Sequence, residues 1–151
     1  VSRGGAPSLS LGFTEWLTGW YRDGLGRQRP LQLEVQGASK PGMGLREFVA
    51  TGTLSADGLV ATAALTGTVS FVSEAGRVWT LRYDLASSVP QGLRLVATKR
   101  DLAGAPYAAF TTLRGEIFDT ERVQLLAPFA ARFDARGDVG RWLRSVSLRR
   151  V

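Results

Sequence analysis

The chain contains no cysteine and no histidine. Without cysteine, neither a disulfide nor a thiolate metal site can form, and redox chemistry leaves the compartment open. Without histidine, the commonest general base and the commonest metal ligand are both missing. No apolar run approaches the roughly 20 residues that a membrane-spanning helix needs. No charged-then-apolar leader precedes residue 10 and the chain opens on Val1, so an excised domain or a trimmed chain is expected, its compartment open with the cytoplasm favoured. Lysine is scarce: Lys40 and Lys99 stand against 17 arginines, a bias we read as a GC-rich genome. No serine stands in a Gly-x-Ser-x-Gly setting, and no Gly-rich dinucleotide turn is present.

What remains describes a folded, strand-rich object. At 151 residues the chain fits one domain, and 44% hydrophobic with 21% charged residues excludes disorder by low hydrophobicity. Many of the 18 glycines lie inside apolar runs instead of in linkers, which is a β-rich composition. The net charge of +6 is uneven: residues 1–75 carry six basic and six acidic groups, residues 76–151 carry 13 and seven. The basic second half could meet phosphates or an acidic partner, against the plain reading of a solvated face.

Period-2 segments follow one another at short intervals. In "PLQLEVQ", Leu31, Leu33 and Val35 oppose Gln32, Glu34 and Gln36. In "GRVWTLRYDLA", Trp79, Leu81, Tyr83 and Leu85 share a side. In "GLRLVATKR", Leu93, Leu95 and Ala97 oppose Arg94, Val96 and Thr98. In "AAFTTLRGEIFD", Thr111, Leu113, Gly115 and Ile117 oppose Phe110, Thr112, Arg114, Glu116 and Phe118. "FTEWLTGWYRDG" reads as a strand, and "EFVATGTLSADG" and "LVATAALTGTVSFVSEAG" add Val- and Thr-rich strands with turns at Asp57-Gly58 and Ala75-Gly76. "RVQLLAPFAARF" is a bent strand or a short helix, since Pro128 breaks any long one.

The expected fold is mainly β, an antiparallel meander closed or nearly closed into a lipocalin-like barrel, over residues 13–151 after a mobile lead of residues 1–12. Gly19, Gly52, Gly67 and Gly115 interrupt strand patterns and permit the coiling a barrel needs. A short C-terminal helix is expected in "GDVGRWLRSVSLRR", with Asp138 as N-cap and Val139, Trp142, Leu143 and Val146 on its apolar face.

The ordered set "FTEWLTG", "PLQLEVQ", "TGTLSADGLVATAALTGTVSF", "WTLRYDL", "LRLVATKRDL", "FTTLRGEI" and a terminal "LRSVSLR" helix resembles the small β-barrel module that accompanies cholesterol-oxidase-like flavoproteins of the glucose–methanol–choline family and related bacterial lipid-metabolism proteins. The likeness covers roughly residues 11–149 and departs at "AGAPYAAF". It implies an accessory barrel beside an oxidoreductase, without a flavin site of its own. "WLTGWYR" and the late arginines of "RWLRSVSLRR" are similar to lipocalins at the level of architecture.

Lys99, Arg100 and Asp101 follow an alternating strand, and Glu116 and Asp119 stand three apart, facing opposite sides of a strand. No coherent nucleophile or acid–base set emerges, so a rim cluster is expected and catalysis is not. Large Trp79, Leu81, Tyr83 and Leu85 beside small Ala61, Ala63, Gly67, Thr111 and Gly115 suit either a dry interdigitated core or an apolar guest such as a sterol or acyl chain, in a cavity lined also by Leu95. In the second case Leu113 joins the lining and Lys99 and Arg100 meet a polar head at the mouth. No cofactor or metal is expected. An interaction module docking on a catalytic domain through Trp16, Trp20 or Trp142 is the alternative. Nucleic acid is ranked low, because the tryptophans read as core-facing.

Overall fold

The structure is a computed structural model, described over residues 9–39, 46–74, 78–99, 112–122, 124–132 and 147–150. Nine strands follow in order: β1 (Leu9–Arg22), β2 (Gln28–Ser39), β3 (Glu47–Ala56), β4 (Val60–Glu74), β5 (Val78–Val89), β6 (Gln91–Lys99), β7 (Thr112–Asp119), β8 (Gln124–Arg132) and β9 (Ser147–Arg150). Each of β1 to β7 pairs antiparallel with the next, and β8 returns to β1 through Thr18↔Arg132 and Tyr21↔Phe129, closing an eight-stranded barrel. The same edge of β1 takes β9 further along, at Leu9↔Arg150 to Gly12↔Ser147.

Tight connections gather at one rim, around residues 23–27, 57–59, 90 and 120–122. There the buried Tyr21 donates its hydroxyl to the Asp57 carbonyl, tying the inside of β1 to the Asp57-Gly58 turn. Gly58 sits at φ +81°, which only glycine adopts without strain. The connections at the other rim, residues 40–45, 75–77, 100–111 and 133–146, lie outside the described residues.

Alternation fixes inside from outside. Leu31, Leu33 and Val35 of β2 are buried, as are Leu81, Tyr83 and Leu85 of β5, Leu95 and Ala97 of β6, and Leu113 and Ile117 of β7. Gln32, Gln36, Thr51, Thr53, Arg82, Arg94 and Arg114 face outward and are exposed. The inner face is mostly apolar, and the outer face mixes these polar residues with apolar ones such as Trp16, Trp20, Val49 and Val72. Among the described residues no helix is long and apolar enough to cross a membrane.

Four glycines bring neighbouring backbones into contact. A Cβ on Gly19, Gly52, Gly67 or Gly115 would strike the carbonyl oxygen of Ala130, Glu34, Asp84 or Val96 on the adjoining strand. Each thus marks a place where a strand coils tightly against its neighbour, as closure of a small barrel requires. "RVQLLAPFAARF" resolves into strand β8, with Pro128 exposed on the outer face opposite Glu116.

Two boundaries differ from expectation. Leu9–Gly12, placed in the mobile lead, are already strand, because β9 supplies them with a ladder partner. The helix expected from Asp138 through Val146 lies outside the described residues, whereas the Ser-Leu-Arg end of "LRSVSLR" is strand β9.

Candidate functional site

Among the described residues the interior is mostly apolar, and its buried charges, Glu15 and Lys99, stand in one cluster. On β1, the burial of Leu17 and Tyr21 sets the parity, and Glu15 falls on the same inward side, level with Val35 of β2. On β6, the same count carries inward from Leu95 and Ala97 to Lys99, the last residue of the strand, level with Leu81 of β5. Tyr83 of β5 lies between them, opposite Ala97 and Val69.

These three side chains meet. The Lys99 ammonium donates to Glu15 Oε1 at 3.0 Å and Oε2 at 3.1 Å, and the Tyr83 hydroxyl donates to Oε2 at 2.7 Å. Lys99 Nζ also stands 5.6 Å from the centre of the Tyr83 ring, within reach of a cation–π attraction. Lys99 and Glu15 are 1% and 3% exposed, so the pair is desolvated and each charge depends on the other.

Burial pushes the Tyr83 hydroxyl well above the ordinary tyrosine range, and the Glu15 carboxylate, as a neighbouring charge and as hydrogen-bond acceptor, pushes it the same way. The sign for stability follows. An unfolded tyrosine loses its proton near about pH 10 while the buried one keeps it, so the unfolded state binds fewer protons above that pH. The contribution is complete below about pH 10 and is lost as pH rises further. Chemical unfolding measured at a series of alkaline pH values should therefore show a steeper decline for the native chain than for Tyr83→Phe. Parallel declines would contradict it.

Of the residues expected to line a ligand site, the barrel brings Leu81, Tyr83, Leu95, Lys99 and Leu113 together inside. Trp79 belongs to β5 opposite Ser73, but its side chain lies outside the described residues, as do Arg100 and Thr111 altogether. Ala63 faces inward as expected, opposite Leu54, but Ala61 is exposed, because a bulge between the Leu54↔Ala63 and Ala56↔Val60 pairs breaks the alternation beside the tight β3–β4 turn.

Two expectations are corrected. Lys99, expected in a satisfied or solvated cluster at the rim, is satisfied by Glu15 but enclosed inside the barrel, because period-2 alternation continues to the end of β6. Trp16 and Trp20 are not core-facing: they stand on the outer side of β1, half-buried, because Glu15, Leu17 and Tyr21 hold the inner side. Arg22 lies over Trp20 at 5.9 Å, on that outer surface.

Sequence reasoning missed Glu15, whose partner is 84 residues away. Its one local signal is a carboxylate at an apolar position of the pattern Phe13, Glu15, Leu17. Among the described residues no group of three or more acidic side chains is placed to hold a metal. No family model matches the chain, and no curated protein or solved structure matches it.

Proposed function

We propose that the barrel is a non-catalytic module that holds an apolar ligand bearing a neutral polar end, such as a long-chain or sterol alcohol, in support of a lipid-metabolising enzyme. The carrying observation is the enclosed Glu15–Lys99–Tyr83 cluster among the apolar side chains described inside the barrel. A buried ion pair is a poor way to gain stability, since desolvation offsets most of the attraction. It is a good way to offer oriented donors and an acceptor to one polar group.

The cluster's charge also selects. Glu15 and Lys99 neutralise one another, so a ligand carboxylate would bring a second negative charge beside Glu15 with no further buried cation among the described residues to match it. A hydroxyl adds no charge and can exchange hydrogen bonds with Tyr83 or Glu15. Displacement of Nile red should show hexadecanol or cholesterol binding at least about tenfold more tightly than palmitate, a difference of about 1.4 kcal/mol. Native mass spectrometry of the protein as purified should show an added mass of matching class. Preference for palmitate would overturn the neutral-head reading.

The competing reading is a docking module with a dry core. It draws support from interior side chains that are buried on every strand from β1 to β8, and from a polar cluster whose members already satisfy one another. No displacement by either alcohol and no co-purified mass would decide for it.

A further inference from the structure

The geometry points to a second site on the outer wall, a trough over β5 to β8 that takes a phosphoryl group carried on a short apolar body. Strand register lines Arg82, Thr98 and Arg114 in one row across β5, β6 and β7. Neighbouring strands lie about 4.8 Å apart, so the two arginines start about 10 Å apart with one hydroxyl between them. Guanidinium stems of that length converge readily on a single anion, and their paired N–H groups match phosphoryl oxygens. Thr112, two residues before Arg114 on the same face, adds a second hydroxyl.

These residues line a hollow of about 840 Å³ on the barrel's exterior. The concavity has a structural cause: Gly115 lets β7 close against the Val96 carbonyl and the Ala97 Cα, drawing the wall inward. Neither Arg82 nor Arg114 forms an ion pair among the described residues, whereas Arg94 in the same hollow is already committed to Asp84 at 2.7 and 2.9 Å.

The neighbouring row defines the rest of the ligand. There Asp84, Val96, Glu116 and Pro128 align, with Phe118 beyond. Val96, Pro128 and Phe118 offer apolar contact, while Asp84 and Glu116 oppose any further negative charge. A nucleic-acid strand would place phosphates along both rows and meet those carboxylates. One anionic end on an apolar body fits both rows.

Titration calorimetry with octyl phosphate below its micelle concentration tests this, with inorganic phosphate, octyltrimethylammonium and vesicles containing phosphatidic acid as the other arms. Octyl phosphate should bind at least about tenfold more tightly than inorganic phosphate, and the cationic amphiphile should not bind. Arg82→Gln and Arg114→Gln, both at exposed positions, should each weaken octyl phosphate by about tenfold or more, and Phe118→Ser should remove the advantage over inorganic phosphate. Vesicle binding would assign the phosphoryl group to a lipid headgroup; binding of monomer alone would assign it to a free phosphoester. Tyr83→Phe, which alters the interior cluster, should leave the octyl phosphate affinity unchanged, which separates this site from the interior one. No octyl phosphate binding, equal affinity for inorganic phosphate, or binding indifferent to both arginines overturns the proposal, and unfolding midpoints show that the variants remain folded.

Discussion

Lys99→Met is expected to destabilise the barrel by about 3–5 kcal/mol, because it leaves the Glu15 carboxylate enclosed without a cation. The loss is not the worth of the pair. It is mainly the cost of one uncompensated charge in surroundings where water cannot reach it. Replacing all three members together, as Glu15→Met, Lys99→Met and Tyr83→Phe, should therefore recover most of the loss, since each polar atom is removed with its partner. Denaturant unfolding of the single, double and triple variants gives the coupling directly. A single variant within about 1 kcal/mol of the native chain would mean that water or another group compensates Glu15, and the description of the site would fail. A triple variant that is stable yet no longer displaces Nile red with hexadecanol would tie the cluster to ligand recognition and away from folding.

The contrast between strand and site shows what a sequence can disclose. Inside and outside were readable wherever alternation was clean: Leu31, Leu33 and Val35, then Leu81, Tyr83 and Leu85, and Leu113 and Ile117 are all buried as their spacing predicts. The same rule, carried one step further along β6, would have placed Lys99 inside, but a lysine beside an arginine reads as a rim. Burial of a charge depends on a partner, and that partner sits on β1, at the far end of the chain. Cross-strand rows are hidden for a related reason. Arg82 and Arg114 become neighbours only through the register of three strands, and pairing register is not written in any one of them. Trp16 and Trp20 show a third limit: size suggests a core, whereas parity with Leu17 and Tyr21 decides.

Curvature is the property on which both sites rest, and it predicts the other large effect. Gly67→Ala and Gly115→Ala should each cost about 1–3 kcal/mol or more, with valine at either position worse, through backbone displacement instead of lost contacts. At Gly67 a Cβ would lie 2.9 Å from the Leu85 Cα and closer still to the Asp84 carbonyl; at Gly115 it would lie 2.6 Å from the Ala97 Cα. Real Cβ atoms do not approach backbone that closely, so β4 must part from β5, or β7 from β6. Gly24→Ala is the matched control, since nothing lies within 4 Å of its added methyl, and it should fall within about 0.5 kcal/mol of the native chain. The two core-facing substitutions should also differ in consequence. Gly115 shapes the wall between Val96 and Arg114, so at temperatures where Gly115→Ala stays folded, octyl phosphate should bind more weakly, while Gly67→Ala should leave that affinity intact. Unfolding midpoints and calorimetry on the same samples read both. Tolerance of alanine at both glycines would mean that the strands are not coiled against each other, and neither an enclosed interior nor an outer trough would follow from this wall.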